Sequence, residues 1–241
     1  MSSTISILMY HQIDATPPRG TPLRGLTVTP GGFARQMALL RLCGYRGVSM
    51  TELEPYLRGE ATGKVVGITF DDGYRNNLEH ALPVLLRHGF TATCYAVSAP
   101  HEGRNAWDEA IGVPQKPLLT PAEMRAWVDA GMDLGAHTRH HADLTSINND
   151  QALDEITGCK QELQDITGQE VRHFCYPYGR YTDEHMQIVK ATGYHTATTV
   201  NRGKYHSGDD WLALPRAMVA RSNTLPLFWA KAIGNYEDRA R

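Results

Sequence analysis

The sequence predicts an α/β protein with a parallel sheet, open or closed, and three observations carry that prediction. Short β-branched runs alternate with amphipathic segments about seven times along 241 residues, the pattern of strands joined by crossover helices. No repeat, low-complexity tract or linker divides the chain, so residues 1–241 read as one domain of a size that α/β barrels routinely reach. The most apolar run, Lys64-Val65-Val66-Gly67-Ile68-Thr69-Phe70, ends abruptly in Asp71-Asp72-Gly73, which puts two carboxylates at the carboxyl end of a buried strand. Barrel and open α/β enzymes keep their reactive groups at that end.

Taken in order, residues 5–10 form a short strand that delivers His11 at its end, and a Pro/Gly-rich loop runs from Asp14 to Leu26. Thr29-Pro30 supplies an N-cap and a first helical residue for an amphipathic helix whose apolar side is Phe33, Met37, Leu40 and Leu42, with Gly44 at its close. Residues 45–48 are a brief strand, and Ser49 with Glu52 has the form of a capping box for a helix through Leu57. After the acidic strand, 77–88 is helical with Gly89 as terminator, and 91–97 is the next strand. Residues 98–118 make a long loop on the side where the strands end, and loops of that length in compact enzymes are usually functional. Thr120-Pro121-Ala122-Glu123 starts another helix, which Gly131 ends. A strand over 132–136 follows, ending at His137. A helix over 149–166, a strand over 172–176 ending at Pro177-Tyr178-Gly179, a helix over 182–191, and strands over 194–200 and 212–219 complete the alternation.

Composition narrows the functional classes. A net charge of −2 with scattered Lys and Arg offers no electrostatic reason to bind nucleic acid or an anionic membrane surface. No apolar run approaches the roughly 18 residues of a membrane span. The amino terminus lacks the basic start and apolar length of a signal peptide, so a cytoplasmic location is expected if Met1 is the native start. Cys43, Cys94, Cys159 and Cys175 form no CxxC pair and read as reduced thiols.

The unusual polar residues gather at strand ends. Asp71 and Asp72 are neighbours that point in different directions, so one can bind a cation while the other moves a proton; Asp72-Gly73 is also a common turn dipeptide. Gly135-Ala136-His137-Thr138-Arg139-His140-His141 holds His137 and His141 at i and i+4, on one face if the segment turns helically, with His140 pointing elsewhere. Two neutral imidazoles and a carboxylate make an open site for a divalent cation. Such a site serves hydrolysis of an unactivated acyl bond: the cation acidifies a water and polarises the carbonyl, and a nearby carboxylate takes the proton. The departing amine then needs an acid, and His11 is the free strand-end histidine available.

Thr69-Phe70-Asp71-Asp72-Gly73 and, about 65 residues on, His137-Thr138-Arg139-His140-His141 resemble the first two signature motifs of the polysaccharide deacetylases, the family-four carbohydrate esterases with a NodB-homology domain. Ala142-Asp143-Leu144-Thr145 extends the likeness, and Phe174-Cys175-Tyr176-Pro177-Tyr178-Gly179 resembles the third motif, so it covers about residues 5 to 219. The resemblance implies that Asp71 is the catalytic base and that Asp72, His137 and His141 bind a metal, usually Zn2+, with other divalent ions such as Co2+ or Ni2+ serving in some members. It also implies that the backbone near Tyr178 helps to stabilise the oxyanion, and that the fold is a distorted (β/α)7 TIM-like barrel.

Three departures stand out. Cys175 occupies the place of an arginine that tethers the catalytic aspartate, and Arg216, in Leu214-Pro215-Arg216, is the candidate substitute. Asp209-Asp210-Trp211 has only a superficial likeness to the fourth motif. The fifth motif, a Leu-x-x-His strand end, is absent from the carboxyl terminus, yet Leu8-Met9-Tyr10-His11 has its form. That resembles the circularly permuted arrangement of poly-N-acetylglucosamine deacetylases, in which His11 inherits the acid role.

Tyr74, Arg75, Trp107, Asp108 and Pro177 complete the candidates for contact with substrate, Tyr74 and Arg75 alternatively as a solvated turn, and Trp107 and Asp108 by stacking and hydrogen bonding or, alternatively, as a loop anchor. His173, His185, His195 and His206 match no motif and read as structural or exposed, and Leu225, Leu227, Phe228 and Trp229 read as a packed tail. The expected activity is release of acetate from an N-acetylated amino sugar in a glycan, nucleotide sugar or lipid-linked saccharide. An amidase or deformylase acting on another amide, and a silent glycan-binding domain, are the alternatives.

Overall fold

The computed structural model describes residues 4–238; residues 1–3 and 239–241 of the expected domain, with the Met1 start on which the location was read, lie outside the described residues. Strand β1 (Ile7–Tyr10) is followed by a two-residue ladder of β2 (Gln12–Ile13) on β3 (Thr27–Val28), which pins both ends of the proline-rich loop. The chain continues through α1 (Pro30–Leu42), β4 (Arg46–Val48), α2 (Met50–Leu57), β5 (Val65–Phe70), α3 (Leu82–His88), β6 (Thr93–Ala96) and α4 (Pro121–Asp129). It ends with β7 (Asp133–Ala136), α5 (Asn149–Thr167), β8 (His173–Cys175), α6 (Asp183–Ala191), β9 (Thr196–Arg202), β10 (Leu214–Met218) and α7 (Leu225–Ala232).

The sheet closes on itself. Strand β1 pairs with β10 on one edge and β5 on the other, and the ladder runs from β5 through β6, β7, β8 and β9 back to β10, parallel throughout. Seven strands thus form the expected (β/α)7 barrel. Its distortion has a local source. Gly67 pairs with both Ile7 of β1 and Val48 of β4, so β4 takes the lower half of the edge that β6 occupies higher up, where Thr69 and Phe70 pair with Thr93 and Cys94. Strand β4 is a wedge between two staves.

Strand parity sorts the side chains. Phe70 points outward, its ring 5.8 Å from Phe33 of α1 and 6.0 Å from Trp127 of α4. Thr69 points inward, where its hydroxyl meets Arg216 across the barrel. Alternation therefore turns Asp71 inward as well, with a buried lining below it that includes Ile7, Val65, Tyr95 and Leu214. Pro215 coincides with a register shift between Leu214 and Arg216, the bulge that a strand proline requires.

Local departures from the expected elements have physical reasons. Leu42 is 84% exposed, because the apolar stripe Phe33, Met37, Leu40 keeps the 3.6-residue period and Leu42 falls on the opposite side. Ser49 does accept from the Glu52 N–H, but the Glu52 carboxylate pairs with Arg46 at 3.0 Å, so the box is half made. The helix expected from Asn77 begins as a π-turn, Asn77–Ala81, before α3. Thr120 and Glu123 form the full capping box. In the tail, Phe228 is buried while Trp229 is largely open. The four cysteines are free thiols. Among the described residues no helix is long and apolar enough to cross a membrane.

Candidate active site

The end of β5 turns through two successive left-handed residues, Asp72 at φ 72° and Gly73 at φ 75°. A side chain at Gly73 would place Cβ 3.2 Å from the Ala96 Cα, so glycine is needed for space as well as for φ. The turn separates the two carboxylates. Asp71 is buried in the barrel mouth and held in a fork by Arg216, Nη1 to Oδ1 at 2.6 Å and Nη2 to Oδ2 at 2.7 Å. Arg216 is itself fully committed: Nε donates to the Thr199 carbonyl at 2.9 Å, Nη1 also to Thr69 at 3.0 Å, and Nη2 approaches the Cys175 sulfur at 3.2 Å. Burial raises the pKa of Asp71, but the charge and hydrogen bonds of Arg216 outweigh it and hold the carboxyl below its ordinary value. Across the mouth, His11 Nε2 lies 3.9 Å from Asp71 Oδ2, beyond a direct hydrogen bond.

Asp72 faces the other way. His137 Nε2 and His141 Nε2 each lie 3.3 Å from its Oδ1, and one ligand atom from each of the three side chains falls within 4.8 Å of the others. Burial raises the pKa of Asp72, yet the two imidazole hydrogen bonds bring it well below the ordinary value. His137 Nδ1 donates to the Cys175 carbonyl oxygen at 2.7 Å, which aims Nε2 at the Asp72 carboxylate; burial pulls this imidazole down, but Cys175 and the Asp72 carboxylate outweigh it and raise its pKa well above the ordinary value. A divalent cation bound here would take the place of the proton that Nε2 shares with Asp72. The donor set is the nitrogen and oxygen set of an open divalent site, and the residues fit such an ion.

The i, i+4 spacing of the histidines works differently from a helical turn. Thr138 at φ 64° and His141 at φ 57° fold the segment back through left-handed conformations. His140 does point elsewhere. Its N–H and that of Arg139 donate to Glu155 Oε2 at 3.0 and 2.8 Å, and its Nδ1 is 2.6 Å from Glu155 Oε1. Glu155, on α5, thereby braces the strained segment.

One cavity of about 850 Å³ is lined by His11, Asp71, Asp72, Tyr74, Trp107, Asp108, His137, His141, Tyr178 and Arg216, among others. Pro177 is buried and is not among the lining residues. Trp107 stacks on His141, with centroids 4.3 Å apart and planes at 12°, and Tyr178 meets the same imidazole edge-on at 4.7 Å. Tyr178 is left-handed at φ 58°, and burial followed by Asp108 pushes its hydroxyl up to about 12. Asp108 is raised by burial and by Asp72. Arg75 is turned to Glu123 at 2.9 Å. Asp209-Asp210-Trp211 lies off the cavity lining, with Trp211 against Arg58. Sequence reasoning missed Glu155 and also Asn77, whose Nδ2 donates to the His11 carbonyl at 2.8 Å and fixes the end of β1. The asparagine pair just after Asp71-Asp72-Gly73 was the available signal.

The sequence profile described as Polysaccharide deacetylase matches residues 58–197, more than half of the chain. The chain belongs to the polysaccharide deacetylase family. The chain is 29% identical over 218 residues to the protein YxkH of Bacillus subtilis (strain 168), covering 90% of this chain and 71% of that one. Among solved structures it superposes on Streptococcus pyogenes deacetylase PplD in complex with acetate with a TM-score of 0.83 and 26% identity, over 96% of this chain and 99% of that one. BC0361, a polysaccharide deacetylase from Bacillus cereus, gives a TM-score of 0.79 and 28% identity over 96% and 69%. The profile match contains Asp71, Asp72, His137, His141 and Tyr178, whereas His11 and Arg216 lie outside it.

Proposed function

We propose that the protein hydrolyses the N-acetyl group of an acetylated amino sugar, adding water to the amide and releasing acetate and a free amine. The observation that carries this reading is the division of labour at the end of β5, where Asp72 converges with two imidazoles while Asp71 is ion-paired beside them. Asp72, His137 and His141 would hold a divalent cation, most fittingly Zn2+, which when bound would supply Lewis-acid polarisation of the acetyl oxygen and acidification of a water. Asp71, kept anionic by Arg216, takes the proton of the attacking water. The backbone at Tyr178 offers an N–H to the oxygen that gains charge. His11, on the other side of Asp71, gives a proton to the departing nitrogen, so the amine leaves neutral. The acetate-bound PplD relative supports the product assignment.

The test is acetate release from a panel of N-acetylated sugars and simple amides, with metal content measured alongside. We expect Asp71→Asn to lose about 10²–10⁴-fold in kcat while keeping its metal, and His137→Ala to lose both. Robust turnover by Asp71→Asn would sink the base assignment.

A further inference from the structure

A cavity of about 850 Å³ lies in the upper part of the range for ligands of drug size, and an acetylated amino sugar at Asp71 leaves much of it unfilled. The remaining wall is apolar, with Pro17, Pro22, Leu23, Val200, Met218 and Tyr236 among its residues. Four of these are large side chains left open: Leu23 is 47% exposed, Val200 45%, Met218 42% and Tyr236 37%. Leu23 also holds a left-handed φ of 53°, a costly backbone for a branched residue, without burying its side chain in return. Three cationic side chains of the lining are neutralised by acids. Lys231 donates to the Met218 carbonyl at 2.7 Å and pairs with Glu237 at 3.2 Å, Arg202 also takes Glu237, and Lys116 pairs with Asp14 at 2.9 Å.

Beside this wall stands a group of uncompensated cations. Arg24 lines the cavity with Nε donating to the Pro17 carbonyl at 2.6 Å, an arrangement that leaves its outer nitrogens open. The Arg221 N–H donates to the Gly25 carbonyl at 2.8 Å, which ties that residue next to Arg24. Partial burial pulls the Arg24 pKa below its ordinary value, and the charges of Arg221 and Arg19 add to it. Among the described residues no carboxylate lies within ion-pair distance of Arg19, Arg24 or Arg221. Guanidinium groups without acids are a ready phosphate site.

We infer that the substrate is an amphiphile: an acetylated amino sugar joined through a phosphate ester to an apolar chain. The sugar lies at Asp71, the phosphate at Arg24 beside Arg221, and the chain along Leu23, Val200, Met218 and Tyr236. This inference rests on the deacetylase reading for the sugar end, and binding tests it separately from turnover. Three probes are titrated calorimetrically into the full chain: N-acetylglucosaminyl pyrophosphate esterified to a short isoprenoid, the same glycosyl pyrophosphate carried on uridine, and a neutral N-acetylglucosaminide bearing the same isoprenoid.

The isoprenoid pyrophosphate is expected to bind about tenfold or more tightly than either other probe, with an advantage that shrinks as salt rises. In an Arg24→Ala/Arg221→Ala variant the two isoprenoid probes should bind alike, and Leu23→Ser should narrow the gap between isoprenoid and uridine. Equal binding of the neutral glycoside by the wild type, preference for the uridine probe, or an unaltered advantage in the arginine variant overturns the inference. Absence of acetate release from every probe would count against the deacetylase reading alone.

Discussion

At the carboxyl ends of the strands Asp71 and Asp72 stand among His11, His137 and His141; at the amino ends Glu54 and Asp133 stand among His173 and His195. The residue types are alike, but the hydrogen bonding is not. At the amino ends every group has an ordinary partner. Asp133 Oδ2 accepts from the Thr51 N–H at 2.9 Å, His173 sits between the hydroxyls of Thr51 and Thr196 at 3.0 and 2.9 Å, and Glu54 is shared by Arg58 and His195 at 2.9 and 3.0 Å. At the carboxyl ends Asp72 is met by two ring nitrogens, the His141 Nδ1 has no partner among the described residues, and Asp72, Thr138, His141 and Tyr178 are all left-handed. Clusters of acids and histidines are structural when their bonds close locally. They become candidates for chemistry when a strained backbone turns several metal-type donors toward one point.

The sharpest way to break this contrast is to remove the cation from each acid in turn. Arg216→Ala leaves Asp71 buried and unpaired, and a loss of about 3–5 kcal/mol in urea unfolding is expected. Arg58→Ala should cost far less, because Arg58 is open to solvent and His195 still serves Glu54. Equal losses would mean that the two ends are built alike. The pH response has a definite sign. Asp71 is held below its ordinary value, so its stabilising ion pair is present above about pH 4 and is lost as pH falls through the lower folded value. Without Arg216, burial remains as the dominant influence and raises the carboxyl. In the milder Arg216→Gln, the acid limb of kcat/KM should therefore move to higher pH.

What was legible in the sequence was local. The Asp71-Asp72-Gly73 strand end, the spacing of His137 and His141, and the termination of β1 at His11 each announce themselves within a few residues. Closure of the sheet was not legible from alternation, because an open sheet alternates identically; the motif resemblance supplied the barrel. Arg216 was found only as a replacement for a missing arginine, since nothing in its own neighbourhood marks it, and its partner is 145 residues away. The stacking of Trp107 on His141, the brace from Glu155 and the grip of Asn77 on the His11 carbonyl escaped for the same reason. A side chain that reaches another loop leaves no periodic trace. Leu42 failed differently, by counting apolar residues without keeping the helical period.

Next in size is the contribution of His11. It faces Asp71 without touching the Asp72 cluster, so His11→Ala is expected to lower kcat by about 10²-fold with the metal retained. Metal analysis on the same preparation separates the two roles. Loss of metal together with rate would place His11 among the ligands and merge two functions that the geometry keeps apart.

The smallest effect tests the other end of the barrel. Burial pulls the imidazole of His173 down to about 4, despite the nearby charges of Asp133 and Glu54, so it is neutral in the folded protein at ordinary pH. In the unfolded chain the same group titrates near 6.5. As pH falls below about 6.5 the unfolded state binds a proton first, and the stability supplied by the neutral imidazole, full above that pH, drains away toward pH 4. His173→Gln removes this dependence. Urea midpoints of wild type and variant should therefore converge between about pH 7 and pH 5, while acetate release near pH 7 stays unchanged. If turnover fell with the substitution, the closed cluster at the amino ends would be coupled to the open one, and local satisfaction of hydrogen bonds would no longer separate scaffold from site.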